Sequence, residues 1–417
     1  MTTDARDAIV VGGGVIGAAC AYYLSQAGWQ VTVLERGEFG QGCSHANCGF
    51  ICPSHVLPLA EPGAIGKALR ALVSKNSPFT IRPRWDPRLW IWLLKFAGRA
   101  NRRDMLAAGA GCQALLNSSL ELYKSLVAAE RLDCEWQQHG LLLAFRHPAA
   151  MQAYAETAAL LDEHFHLPSA RYDGPQVCQL EPALRAGLAG GWHFPGDAHL
   201  RPDKLMSEWR RVLLGRGVQI REQTEIVDFV REGGLARAVV TSQGELSAAA
   251  FVVATGALAP RLERALGCRV PIEPGKGYSI TMPRPARCPQ IPLLFPETHV
   301  GVTPMKSAYR LGSTMEFAGY NTSLPQPRLD LLRQGAEPYL EEPACEPIIE
   351  RWYGWRPMTY DGLPIIDRVP ALSNVLIAAG HNMLGMSMAP ATGKLVAELL
   401  SNHVPHVDPT PYALRRF

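Results

Sequence analysis

Much that a chain of 417 residues can carry is missing here. Ten cysteines run from Cys20 to Cys345 without one Cys-x-x-Cys pair, which excludes the knuckles of zinc ribbons and argues against a disulfide framework. Reduced thiols are expected. Only Cys43, Cys48 and Cys52 gather, with His45 beside them. Their spacing matches no zinc or iron–sulfur arrangement, so they are expected as small loop residues with no metal. Apolar runs such as Leu89–Leu94 fall far short of the ~20 residues that span a bilayer. The polar start Met1–Asp7 has no apolar core of an export signal, so a soluble, cytoplasmic chain is expected. A net charge of +3 is too small to imply nucleic acid and suits an anionic small substrate or weak membrane contact.

What is present begins with Ile9–Leu24, a short apolar strand, a glycine turn and a helix with Val15, Ala18, Ala19, Tyr22 and Tyr23 at helical spacing. Gly12, Gly14 and Gly17 fit G-x-G-x-x-G. The first allows a tight turn, the second lets backbone approach a pyrophosphate, and the third lets helix pack on strand. The helix start at Val15 and Ile16 then faces the phosphates. Val31–Leu34 supplies the next strand and Glu35, followed by Arg36, stands where a carboxylate takes ribose hydroxyls. An adenine dinucleotide is expected. No second G-x-G-x-x-G follows a strand, which removes the usual site for a nicotinamide nucleotide.

The length suggests two interleaved domains. Gly40–Gly49 is a loop of small and polar residues suited to phosphate or an aromatic ring. Residues 82–103 mix Trp85, Trp90 and Trp92 with arginines, the pattern of a packed core with a basic solvated side or, less favoured, of a peripheral membrane face. Helical spacing covers about 104–130 and 149–165, an inserted helical region. Apolar strands return at Ala249–Ala254, stopping at Thr255 and Gly256, and at Asn374–Gly380, followed by a helix to Leu400. Residues 352–364 are dense in turn formers. The dinucleotide domain is therefore expected to be discontinuous, as 1–55, 197–267 and 350–417, with 56–196 and 268–349 forming a substrate domain.

The glycine motif with Glu35, the Ser44–Gly49 loop, Lys276–Ile280, Gly354–Gly362 and Gly380–Met386, in this order, resemble the FAD-dependent D-amino-acid oxidase superfamily, and within it the bacterial D-amino-acid dehydrogenases. The resemblance implies an α/β fold: a Rossmann-type FAD-binding domain of the glutathione-reductase kind, and a large antiparallel sheet covering the flavin. It implies non-covalent FAD, since Met358 lies near where covalent members carry a linking cysteine. Ser44, Ala46 and Asn47 are implied along the pyrophosphate and flavin, Val227 at the adenine, and Gly380, Asn382, Met383 and Leu384 at the pyrimidine edge. Arg356 is implied as the grip on a substrate carboxylate and Tyr278 as an aromatic beside it, with a buried core tyrosine as the alternative. His381 invites the role of a base, but the favoured reading is a histidine at a helix start near the flavin, where the helix dipole stabilises the reduced flavin's negative charge. The implied reaction is hydride transfer from a D-amino acid to flavin N5, giving a 2-oxo acid. A quinone or another redox protein is the expected acceptor, with a peripheral position on a membrane as an option. D-proline, hydroxyproline or a sarcosine- or glycine-like amine remains an alternative substrate, and a silent flavin-binding subunit the non-enzymatic alternative.

Overall fold

The computed structural model describes residues 6–66, 78–82 and 84–417. Met1–Ala5 of the polar start and Pro83 of the tryptophan–arginine stretch lie outside them. Asp7–Val11 pairs in parallel with Gln30–Leu34 on one side and Ala250–Val253 on the other. Gln219–Arg221 and Leu372–Ala379 extend this sheet in parallel, and Ile365–Val369 closes one edge antiparallel. The result is a six-stranded sheet.

Both faces of this sheet are covered, which is why its strands read as nearly unbroken apolar runs. Ala8, Val10, Val33, Val252 and Leu376 pack under the helices Val15–Gln26 and Gly385–Leu400. The alternate residues Ile9, Val11, Phe251, Val253 and Ile377 pack under a three-stranded meander that starts at Ile226–Glu232. Strands from the beginning, middle and end of the chain thus share one sheet.

The second sheet has nine strands and is mostly antiparallel. Its centre is Ile272–Met282, Tyr309–Phe317 and Val300–Pro304, and Leu141–Phe145, Gly190–Phe194 and Ala170–Asp173 continue it. The turn-rich stretch departs from expectation, because Glu350–Thr359 is a strand of this sheet, paired with Ile272–Met282 along its length. It lies at the edge, where Pro357 is tolerated because no neighbour needs its missing N–H. Gly354 leaves room for the Trp352 ring, whose Cη2 is 2.2 Å from where a Cβ would sit.

The helical insertion consists mainly of Arg102–Ala129 and Pro148–Phe165. Before it, Pro87–Arg99 is capped by Asp86, whose carboxylate accepts from Arg88 N at 3.1 Å. Here the favoured packed-core reading holds for Leu89 and Trp92, with Leu93 and Phe96 packed against the same core. Trp85, Trp90, Ile91 and Leu94 are exposed, Leu94 by 73%.

The helices Val15–Gln26 and Gly385–Leu400 touch at Gly393, where a Cβ would lie 2.4 Å from the Ala19 carbonyl carbon. Backbone cannot yield as a flexible side chain can. Gly393→Ala is therefore expected to destabilise the protein by about 1–3 kcal/mol, seen as a Tm lowered by a few degrees. An unchanged Tm would show that the two helices do not meet as closely as this.

Candidate active site

The glycine motif is shaped by close approach. Gly12 has φ +110°, and a Cβ there would lie 2.5 Å from Ala254 O. At Gly17 a Cβ would lie 1.8 Å from Gly12 O, so only glycine lets the helix sit down on the turn. Glu35 is fixed beside the motif, its carboxylate accepting from Gly13 N at 2.7 Å and Gly37 N at 2.9 Å. Ser44 Oγ accepts from Val15 N at 2.9 Å, one of the N–H groups a helix start leaves over.

These residues open onto a cavity of about 780 Å³. Gly12, Gly14, Val15, Ile16, Glu35 and Arg36 form one end of its wall. Val227, Thr255 and Gly256 join them, Val227 being 62% exposed. Ser44 stands beside Val15, and Asn47, His381, Asn382 and Met383 continue the lining, with Gly385 and Met386 at the start of the Gly385–Leu400 helix. Gly17 and Gly380 are absent from this wall. Gly17 packs beneath it, and Gly380, with φ +77°, fits against Thr359 where a Cβ would meet Cγ2 at 2.7 Å.

A second cavity of about 440 Å³ adjoins the first, and Cys43, Asn47, Trp352, Gly354, Arg356 and Asn382 line both. Ala46 and Leu384 face only the second. The Ser44–Gly49 loop runs along the large sheet, which holds its carbonyls one after another. Ser279 Oγ donates to Ala46 O at 2.9 Å, Arg310 Nη1 to Asn47 O at 2.8 Å, and Thr303 Oγ1 to Cys48 O at 2.5 Å. Glycines make the floor: a Cβ on Gly312 would lie 2.6 Å from Cys48 Sγ, and one on Gly301 3.1 Å from Phe50 Cε2.

Arg356 lies flat against Gly277, where a Cβ would meet Nη1 at 2.2 Å. Its Nη1 donates to Thr314 O at 2.7 Å and its Nη2 to Ser313 O at 3.4 Å. These carbonyls are aimed by an irregularity in the strand: the pairing register shifts here, and Ser313 and Thr314 have φ of +106° and +49°. Such backbone is strained for residues with side chains and is found where function over-determines it. No carboxylate pairs with Arg356 among the described residues. Burial lowers its pKa, with Cys43 and Cys48 acting in the opposite direction.

Tyr278 behaves differently. Strand alternation sends Gly277 and Ser279 toward the loop and Tyr278 to the other face, among Ile280, Leu311 and Val302. Its hydroxyl donates to Glu316 Oε2 at 2.5 Å, and burial followed by Glu316 raises its pKa. Its side chain packs in the core, while the residue still contributes to the wall of the second cavity. His381 is also buried, its Nε2 at 3.0 Å from Thr392 Oγ1, and burial pushes its pKa down to about 3. It is a neutral imidazole at ordinary pH.

Asn382 does more than line the wall. Its Oδ1 accepts from Thr359 N at 2.9 Å, and its Nδ2 donates to Gly362 O at 2.9 Å and Gly380 O at 3.1 Å. It ties the helix start to the strand that carries Arg356. Cys43, read from the sequence as a small loop residue beside the cofactor, lines both cavities. Sequence reasoning missed Trp352 and Gly354 because their segment read as turns, and it grouped Cys52 with Cys43, Cys48 and His45 rather than with His55 and Asp197, whose potential ligand atoms lie within 4.8 Å of that of Cys52.

The larger cavity fits a dinucleotide on its own terms. Its glycines form a cradle that a Cβ would fill, a helix start and Glu35 stand at the ends of adjoining strands, and Thr255 Oγ1 is buried without a partner among the described residues. Comparison with known proteins agrees. The family model of FAD dependent oxidoreductases, DAO, matches residues 7–399. A D-amino acid dehydrogenase of Methylobacterium radiotolerans is 32% identical, the match covering 98% of this chain and 99% of that one. The crystal structure of glycine oxidase from Geobacillus kaustophilus superposes with a TM-score of 0.81 at 22% identity, covering 99% of each chain. That of L-proline dehydrogenase from P. horikoshii gives 0.72 at 20% identity, covering 99% of this chain and 98% of the other. A full-length family match, a relative above 30% identity and the glycine cradle together establish that this chain belongs to the DAO family of FAD-dependent oxidoreductases.

Proposed function

We propose that the protein oxidises D-amino acids to 2-oxo acids and ammonia, and that the electrons pass from FAD to a quinone or another non-oxygen acceptor. The observation that carries this reading is Arg356, a half-buried arginine at the junction of two cavities with no carboxylate paired to it among the described residues. Its fork suits two parallel hydrogen bonds to the carboxylate of an amino acid. FAD in the larger cavity supplies a two-electron acceptor for the substrate's Cα–H. The protein's part is to grip the carboxylate, aim the α-carbon, and hold the cofactor: pyrophosphate on Gly12 and Gly14, ribose on Glu35, adenine beside the Val227 backbone, and the ring along the Ser44–Cys48 loop.

His381, neutral and engaged by Thr392, supplies no cation. Negative charge gained at the pyrimidine edge falls instead to the N-terminus of the Gly385–Leu400 helix. FAD is held non-covalently in this reading. Met358 is 2% exposed and packs near Gly275, and burial pushes the Cys43 thiol up to about 11, which keeps it protonated and a poor nucleophile. The D assignment follows the relative named D-amino acid dehydrogenase. The fold alone does not set it, since a structure titled L-proline dehydrogenase shares that fold. For domain limits, we propose the expected segments with Glu350–Thr359 moved to the substrate domain.

No helix among the described residues is long and apolar enough to cross a membrane. A peripheral route to quinone is nevertheless supported by Pro87–Arg99, where Trp90, Ile91 and Leu94 face outward beside exposed Trp85 and Arg88. Exposed tryptophan and leucine with cations on the same helix suit the surface of an anionic bilayer.

The purified protein is expected to be yellow, to release FAD on heating, and to bleach anaerobically with D- but not L-amino acids. Bleaching by the L forms alone overturns the stereochemistry, bleaching by sarcosine alone moves the substrate to N-methyl amines, and no bleaching leaves a silent flavin subunit. Arg356→Lys keeps the charge and loses the fork. With about 1.5–3 kcal/mol lost for one charge-assisted bond, kcat/KM is expected to fall about ten- to a hundredfold with FAD retained, and an unchanged kcat/KM would place the carboxylate elsewhere. The chain is expected to sediment with anionic phospholipid vesicles and to reduce quinone in them faster than it makes peroxide. Trp90→Glu with Leu94→Glu should abolish sedimentation while dye reduction persists, and sedimentation that survives both changes excludes this face.

A further inference from the structure

The second cavity is lined largely by apolar groups such as Phe50, Leu57, Leu143, Leu161 and Phe194, yet a polar cluster stands in its wall. Asp197 is 1% exposed, and its carboxylate accepts from Ser54 N at 3.1 Å and from Ser54 Oγ at 2.5 Å. Ser54 Oγ in turn lies 3.5 Å from Nδ1 of His55. The His55 ring lines the cavity, and its Nε2 has no partner among the described residues. No cation pairs with Asp197 among the described residues.

A buried polar chain of this kind is unfavourable unless its last member is satisfied. Arg356 lines the same cavity from the large sheet, while Ser54 and His55 come from the segment that follows the Phe50–Ile51 strand. A molecule whose carboxylate meets Arg356 therefore extends its side chain into a space with mostly apolar walls, where His55 presents a ring nitrogen and Tyr154 and Thr157 also stand in the lining. We propose that His55, held by Ser54 and Asp197, recognises a hydroxyl on the substrate's side chain or ring, so that the preferred substrates are hydroxylated amino acids rather than their plain hydrocarbon counterparts.

Burial holds His55 neutral, its pKa pushed down to about 4, and raises Asp197 to about 7. Because the Ser54 hydroxyl gives its proton to Asp197, it accepts from the Nδ1–H of His55 and leaves Nε2 as an acceptor facing the cavity. A substrate hydroxyl supplies the neutral donor that this nitrogen needs, whereas a methyl does not. Sites built to bond a hydroxyl discriminate strongly against the analogue lacking it, because the site's own polar groups are then left unpaired.

This inference rests on the amino-acid reading of Arg356, and the test separates the two. Near-isosteric pairs are compared by anaerobic flavin reduction: D-threonine against D-valine, and cis-4-hydroxy-D-proline against D-proline. In the wild type the hydroxylated member of at least one pair is expected to lead by about tenfold or more in kcat/KM. His55→Leu should shrink that lead to about twofold or less by cutting the hydroxylated rate far more than the other, and His55→Gln, which keeps a donor and an acceptor, should restore part of it. FAD absorbance and Tm report whether each variant is folded. Reduction by both members of each pair with no lead in the wild type overturns the proposal whatever the variants do. So does a lead that survives in folded His55→Leu. Reduction by no amino acid overturns the reading of Arg356 and this proposal together.

Discussion

The site depends on one run of backbone, the carbonyls of Ala46, Asn47 and Cys48, each held by a side chain from a different strand of the large sheet. Ser279, Arg310 and Thr303 sit on neighbouring strands of that sheet, so their spacing is set by strand separation and not by any loop. On its other flank the same run begins at Ser44, which caps the helix start behind the glycine motif. One short segment thus joins the two units through polar bonds made at fixed intervals. Arg310 is 1% exposed and bonds Thr281 Oγ1 as well as Asn47 O. Its removal would leave a buried carbonyl unpaired beside both cavities, a loss larger than that of an ordinary surface ion pair.

Electrostatically the junction is spare. His381 is neutral, and the Cys43 and Cys48 thiols are held protonated by burial. Among the described residues Arg356 is the formal charge lining both cavities, and no carboxylate there pairs with it. The bulge at Ser313 and Thr314 gives its guanidinium two carbonyls, enough to fix direction without cancelling charge. An anion entering the smaller cavity meets a preoriented fork, and preorientation is what converts binding into alignment of the α-carbon.

What the sequence revealed follows how local each signal was. The turn, helix and carboxylate of Gly12 to Glu35 fall within one strand–helix–strand unit, so apolar spacing and glycine positions suffice. Arg356 was reached only by resemblance, because Gly354 and Pro357 disguise its strand as a turn; both are tolerated for reasons of packing and edge position. The side of the sheet that Tyr278 faces depends on alternation counted from the glycines against Arg356 and the loop, which becomes visible only once the strands are paired. Ser54 and Asp197 are 143 positions apart, and nothing near either one marks the other as a partner. The outward face of Pro87–Arg99 was misread for a related cause: tryptophan is usually a core residue, and only the neighbours decide which way a short helix turns.

The wiring of the six-stranded sheet has a consequence for how the protein is made. Asp7–Val11 comes first in chain order among the described strands, but its neighbour Ala250–Val253 comes more than halfway along the chain, and Leu372–Ala379 flanks that in turn. The helix Val15–Gln26 is covered by Gly385–Leu400 at the Gly393 crossing. While the ribosome is still at work, the glycine turn therefore exists without the strand on which Gly12 rests and without the helix that closes the site. The cradle that would hold FAD is therefore assembled only when segments from both halves of the chain have come together.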